Sequence, residues 1–246
     1  MAMLRVLIHE KGELFSNLAL DEAILRACNS ITLRLWRNEK SVILGVNSRV
    51  KDEVNLGFAE ANGIRIARRI SGGGAVFHDL GNLNYSIIVK AKNSKGVEYL
   101  YDYLLKGTIC SIRRVIKEDI GIANNSDLIV RGFKVSGNSG YFYRENYLLH
   151  GTLLLNSDIE SLYNVLIIPP RNLKRWVDPV KFRVKNLEDI LGRKFELEEV
   201  ERAFIDCFSE VLKENPVFGE VSEEEMRLSE RLKEEKYSKE EFIFRN

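Results

Sequence analysis

Arg68-Arg69-Ile70-Ser71-Gly72-Gly73-Gly74-Ala75-Val76-Phe77-His78-Asp79 joins two cations to three consecutive glycines and then to an apolar pair. Glycine has no Cβ, so such a run lets backbone N–H groups approach a ligand closely and take up positive φ at little steric cost. An arginine beside it offers a planar fork of donors suited to phosphate or carboxylate. The combination suits a ligand that is part anion and part hydrocarbon. The plainer alternative is a glycine-rich turn beside two solvated arginines.

Outward from this loop, Ile64 to Arg68 is a strand that leads into the glycines, and Leu83 to Val89 is the strand that follows. Upstream, Leu4–His9 alternates like a strand, and Ser16 reads as the N-cap of a helix through Cys28 with Asp21-Glu22 near its start. Ile31–Arg37 has the period of two of a half-buried strand, Ser41–Leu44 is a second short one, and a helix near Val54–Ala61 stops at Asn62-Gly63. Downstream, Val97–Lys117 has helical spacing over about five turns. Leu128–Val130 and Lys134–Ser136 read as a hairpin around Arg131-Gly132-Phe133, Tyr147–Leu155 as a strand and Asp158–Leu166 as a short helix. A loop begins at Pro169-Pro170, and the chain from about Leu197 is helical and highly charged. Irregular alternation of hairpins and helices predicts an α+β fold, a mixed sheet flanked by helices, in one domain over 1–246 with a helical tail over about 197–246.

Composition narrows the function. The 246 residues carry 37 Lys+Arg against 36 Asp+Glu, a net charge of +1 that leaves no electrostatic footprint for nucleic acid or an anionic membrane. No apolar run approaches the ~20 residues that cross a bilayer, and the N-terminus lacks a signal-peptide layout, so the expected location is cytoplasmic. Cys28, Cys110 and Cys207 are far apart, without a Cys-x-x-Cys pair, and read as core thiols rather than a disulfide framework or zinc site.

Two further blocks carry candidate chemistry. Asn124-Asn125-Ser126-Asp127 precedes Lys134-Val135-Ser136-Gly137-Asn138, and Leu149-His150-Gly151-Thr152 follows. Lys134, between apolar strand neighbours, is placed either to hold an anion or to reach water. Asp127 could hold a Mg²⁺ that bridges phosphate oxygens or could open a turn. His150 reads as a structural histidine or a participant in the chemistry.

Together these blocks resemble the lipoate–protein ligase A family. The resemblance runs from Asn17-Leu18-Ala19-Leu20-Asp21-Glu22-Ala23 to Arg183-Val184-Lys185-Asn186-Leu187, with Glu234–Ser238 resembling the end of the catalytic domain. It implies the catalytic fold shared with biotin ligases and class II tRNA synthetases. It also implies ATP-dependent conversion of lipoate to lipoyl-AMP and transfer to a lysine of an acceptor lipoyl domain. The acceptors implied are 2-oxoacid dehydrogenase E2 subunits and the glycine-cleavage H protein. By position, Arg69 would contact the nucleotide phosphates. Ser71, Gly72, Gly73, Gly74, Ala75, Val76 and Phe77 would wrap the adenylate, and Lys134 would hold the carboxylate–phosphate junction. Asn82 would neighbour the nucleotide, Gly74 and His150 the lipoate, and Asp127 the Mg²⁺. Gly45-Val46-Asn47-Ser48 replaces the family's usual Gly-Arg-x-Gln segment. The chain leaves no room for the small accessory C-terminal domain that many members carry, so the expectation is either a separate accessory polypeptide that helps form the adenylate or transfer from a preformed one. The rivals are an octanoyl or lipoyl transferase on the same scaffold, and a non-catalytic ligand-binding homologue. A transferase needs a thiolate in the loop before the lysine hairpin, and Asp119–Asp127 contains no cysteine.

Overall fold

The computed structural model describes residues 3–9, 12–90, 96, 98–168 and 182–245. The loop expected at Pro169-Pro170 lies outside them, as does Val97 at the expected start of the long helix. The first half runs β1 (Met3–His9), α1 (Leu14–Ala27), β2 (Ile31–Trp36), β3 (Ser41–Leu44), α2 (Val50–Glu53), α3 (Leu56–Ala61), β4 (Arg65–Arg68), β5 (Val76–His78) and β6 (Asn82–Lys90). A π-helical stretch, Tyr99–Leu104, leads into α4 (Leu105–Ile116), followed by β7 (Gly121–Ala123), β8 (Asp127–Val130), β9 (Phe133–Tyr143) and β10 (Asn146–Leu154). Then come α5 (Ile159–Val165), α6 (Leu187–Leu191), α7 (Leu197–Leu212), β11 (Asn215–Phe218), α8 (Glu223–Leu232), a second π-helical stretch (Lys233–Tyr237) and α9 (Glu240–Ile243).

Eight strands form a mixed sheet in the order β11-β1-β2-β6-β10-β9-β8-β7, and β4-β3-β5 form a small second sheet. β6 shows how the large sheet divides its two sides: Leu83, Tyr85, Ile87 and Val89 pack with residues of α4 and α7, whereas Ile88 joins α1 and Tyr237 in a second core. Successive side chains on a strand point to opposite faces, so one strand supplies both cores. The small sheet closes a third core with residues of α2, α3 and α5.

Several local expectations are corrected. Helix α1 is capped by Glu13, whose carboxylate accepts from the Ser16 N–H at 2.9 Å. Asp21 and Glu22 therefore sit mid-helix and buried, rather than near its start. β2 is covered on both faces, not half-buried, because α1 lies over Arg34. The charged tail contains a strand, β11, that pairs in parallel with β1; Pro216 is tolerated there because it lies on the sheet edge. Cys110 and Cys207 are joined in a disulfide, with Cα atoms 5.7 Å apart, which overturns their reading as core thiols. The spacing of 97 residues gave no hint, since only the packing of α4 beside α7 brings the two positions into reach. Cys28 is the buried thiol expected, and burial pushes its pKa up to about 11.

Candidate active site

Arg68 ends β4 and Arg69 follows directly, so the two side chains leave on opposite faces. Arg68 is fully buried and donates to the carbonyls of Gly45 and Ser48 at 2.8 Å and of Ile243 at 2.7 Å. It ties the chain ahead of the glycines to the C-terminal segment. Arg69 turns to the other side, where its guanidinium donates to the carbonyls of Ile43, Gly72 and Gly74 at 3.0, 2.5 and 2.9 Å. Its Nε donates to Ser71 Oγ at 3.0 Å. Burial pulls its pKa down to about 10, so the side chain stays charged at neutral pH. Arg69, expected against phosphate, thus braces the loop while also lining the cavity described below.

Gly73 takes φ +89°, the left-handed region that favours glycine, and a Cβ there would stand 2.9 Å from Arg69 Nη2. The Ala75 N–H is fixed by Glu53 Oε2 at 2.6 Å. Glu53 reads in sequence as part of a polar Lys-Asp-Glu run; only the packing of α2 shows it to be a buried acceptor at the loop.

The lysine comes from the hairpin on the far side. Arg131 and Gly132 both have positive φ, 48° and 80°, the geometry of a two-residue hairpin turn. Beyond that turn β9 bulges: Leu128 faces Ser136 while Ile129 faces Lys134, which leaves Val135 as the extra residue. Val135 enters the large core, and Lys134 lies across the bare backbone of Gly137. Its Nζ is 2.6 Å from Asp127 Oδ1, and Asn124 Nδ2 donates to Asp127 Oδ2 at 3.0 Å. Asn124 and Asn125, at φ 48° and 66°, make the turn that presents this carboxylate. Asn138 donates through its main chain and its side chain to the carbonyl of Ser126, which fixes that turn.

One cavity of about 490 Å³ is lined by Gly73 to His78 from one side and by Asp127, Lys134 and Gly137 from the other. The rest of its wall is largely apolar, with Leu18, Trp36, Ile43, Leu154, Leu162 and Leu166. Tyr163, Ile167 and Ile168 also line it and are about half exposed, at 52%, 43% and 46%. Polar hydrogen-bonding groups and a long hydrocarbon surface in one cavity are what a small amphiphilic anion requires.

The other expected residues divide. His150 lines the cavity, with Nε2 2.6 Å from Ser71 Oγ. Ser71 itself is fully buried behind the loop, and Gly72 lines a different surface depression near Tyr141 and Lys239. Asn82 is not brought to the cavity. Its side chain accepts from the Asp79 N–H and donates to the Phe77 carbonyl, both at 3.1 Å, and so closes the turn before β6. His78, read as part of the motif but not as a site residue, sits in the cavity wall bonded to Thr152 Oγ1 at 2.9 Å; burial and the nearby Arg69 charge lower its pKa to about 3.

Among the described residues the one group of three metal-ligating side chains within reach of one another is Cys110, Cys207 and Glu210, and two of these are joined in the disulfide. Two carboxylates line the cavity: Glu53, which accepts from the Ala75 N–H, and Asp127, which offers itself to Mg²⁺ beside the amide of Asn124. That set fits an ion which takes one or two protein carboxylates and completes its shell with phosphate oxygens and water.

The sequence family described as lipoyl protein ligase A/B catalytic domain matches residues 13–209. A Thermoplasma acidophilum protein solved with bound lipoic acid superposes with a TM-score of 0.86 at 29% identity, covering 99% of this chain and 100% of that one. A structure described as a bi-partite lipoate protein ligase and its E2 lipoyl domain, from the same organism, gives 0.86 at 30% identity over 99% and 96% of the two chains. A lipoate-protein ligase A bound with ATP gives 0.87 at 30% identity over 99% of each. With its glycine loop and hairpin lysine meeting across one cavity, this chain belongs to the lipoyl protein ligase A/B catalytic-domain family.

Proposed function

We propose that this chain is a lipoate–protein ligase, which activates lipoate with ATP and transfers the lipoyl group to a lysine of an acceptor lipoyl domain. One observation carries the reading: the Lys134 ammonium and the Gly73–Phe77 backbone line the same part-apolar cavity. In the first step a lipoate carboxylate oxygen attacks the α-phosphorus of ATP, the bond to the bridging oxygen breaks, and pyrophosphate leaves. In the second, the acceptor lysine nitrogen attacks the acyl carbon, the acyl–phosphate bond breaks, AMP leaves, and the amine loses a proton to solvent.

The chain's own residues then work by positioning and charge. Lys134 stands against the carboxylate and α-phosphate as negative charge moves between them, the loop N–H groups hold phosphate oxygens, and Arg69 keeps that loop in shape. Leu18, Trp36, Ile43 and Leu154 take the hydrocarbon. Asp127, with Asn124, would hold Mg²⁺, which supplies charge neutralisation at the phosphates. We place the protein in the cytoplasm, where ATP is available; among the described residues no helix is long and apolar enough to cross a membrane. We read the chain as a single catalytic domain that acts with a separate accessory polypeptide, as the bi-partite Thermoplasma ligase suggests. Lipoyl domains of 2-oxoacid dehydrogenase E2 subunits and the glycine-cleavage H protein are the proposed acceptors.

The cysteines weigh against the thioester route. Two are tied to each other, and the third is a buried thiol whose pKa is raised to about 11. The test is mass spectrometry of a lipoyl domain incubated with this chain, ATP, Mg²⁺ and lipoate, with and without an accessory polypeptide. Octanoyl-carrier protein serves as the competing donor. Lipoyl addition that requires ATP supports the proposal; acyl addition only from the carrier, without ATP, overturns it.

A further inference from the structure

Behind the glycine loop lies a buried chain of hydrogen bonds that leads away from the cavity along the face of the large sheet covered by α1. Arg34 of β2 is fully buried, and its Nη1 donates to Asp21 Oδ1 at 2.7 Å and to the Asn17 carbonyl at 2.8 Å. Its Nη2 donates to Asn17 Oδ1. Asp21 Oδ2 accepts from Ser86 Oγ at 2.7 Å and faces His150 Nδ1 at 3.3 Å. His150 Nε2 meets Ser71 Oγ, which in turn accepts from Arg69 Nε.

The direction of every link is fixed by the groups themselves. Arginine only donates, and an ionised carboxylate only accepts. Burial alone would raise the Asp21 carboxyl, but the His150 hydrogen bond and the Arg34 charge hold its pKa below the ordinary range. Ser86 Oγ accepts from Trp36 Nε1 at 3.2 Å and so gives its own hydrogen to Asp21. The nitrogen that faces the carboxylate, Nδ1, must then carry the imidazole hydrogen. In the neutral ring this leaves Nε2 as an acceptor for the Ser71 hydroxyl. Ser71 therefore gives its hydrogen to His150, and its oxygen remains to hold Arg69. Three glycines have no side chains with which to hold themselves, and their freedom is costly to freeze.

We propose that Asp21 and Arg34, neither of which lines the cavity, are positioning residues for nucleotide binding. Through one imposed tautomer of His150 they hold Ser71 and Arg69, and with them the Gly72–Gly74 backbone. The inference rests on the ligase reading for its ligand, and it separates from that reading by experiment. A long-range ¹H–¹⁵N spectrum of the ligand-free wild-type protein should show His150 bearing hydrogen on Nδ1 alone; hydrogen on Nε2 alone overturns the relay whatever the activity.

Isothermal titration with ATP·Mg²⁺ then compares wild type, Asp21→Asn, Ser71→Ala and the double variant. Loss of one buried link should weaken ATP affinity about three- to tenfold in either single variant. The double variant should bind no more weakly than the weaker single, because the two residues act through one ring. Independent, multiplying losses refute the relay. In lipoate-dependent pyrophosphate exchange KM for ATP should rise by the same factor with kcat little changed; a fall in kcat at constant KM would mark a merely structural role. Asp21→Asn leaves Arg34 buried without its counter-charge, so if it does not fold, Asp21→Asn/Arg34→Gln takes its place. Failure of the wild type to bind ATP would count against the ligase reading, and the tautomer would still decide the relay.

Discussion

Gly137→Ala tests the lysine without touching it. The backbone at Gly137 has no positive φ, so alanine is allowed there. Its Cβ would stand 2.9 Å from Lys134 Nζ and 3.1 Å from Cε, and 3.8 Å from Asp127 Oδ1. Those lysine contacts are too short for carbon, so the side chain must move and its 2.6 Å pairing with Asp127 must lengthen or break. The lysine end is flexible and lines the cavity, while the Asp127 side chain, 8% exposed, keeps its hydrogen bond from Asn124. The stability cost should therefore be about 1–3 kcal/mol. Catalysis is less forgiving, because a cation fixed on a developing charge is worth about 3–4 kcal/mol, or ~10²–10³ in rate. A variant that folds like wild type but exchanges pyrophosphate at least tenfold more slowly, in a lipoate-dependent assay, is the expected result, with Lys134→Ala slower still. A Gly137→Ala protein with wild-type kcat would show that the position of the ammonium does not matter, and the role given to Lys134 would be withdrawn.

Gly73→Val should weaken ATP binding with little change in overall fold, since valine at φ +89° costs about 1–3 kcal/mol locally and its Cβ displaces Arg69; unchanged affinity would reduce the glycines to a turn. Replacing Cys110 and Cys207 by serine removes a cross-link spanning 97 residues and should lower unfolding free energy by up to about 4–5 kcal/mol while folded protein keeps its turnover. Complete loss of turnover in folded protein would instead favour a thioester route. His78 is held neutral, its pKa lowered from 6.5 to about 3, so the unfolded chain binds the extra proton first as pH falls. Its contribution is fully present above pH 6.5 and should be lost below it, by at most about 1.4 kcal/mol per pH unit until near pH 3. Urea midpoints of wild type and His78→Gln between pH 4.5 and 6.5 should diverge in slope; parallel lines would refute the assignment.

The amino-acid order by itself determined the strands and helices that obey a local period. β4 leading into the glycines, the Arg131-Gly132 hairpin and β10 follow from alternation and turn chemistry read within about ten residues. It also marked where candidate chemistry lies, because a side-chain-free loop beside cations and a strand lysine suit an anion, while leaving a plain turn and a solvated lysine open. Contacts made across the fold leave no such trace. Asp21 and His150 are 129 residues apart, and Arg34 looks like the solvent-facing residue of a half-buried strand until α1 covers it. The disulfide, the bulge that aims Lys134 over Gly137, and the inward turn of Arg69 were decided only when the helices and sheets packed. Burial is a property of neighbours in space, and the local periods of two and 3.6 say which face a residue takes but not what will lie against it.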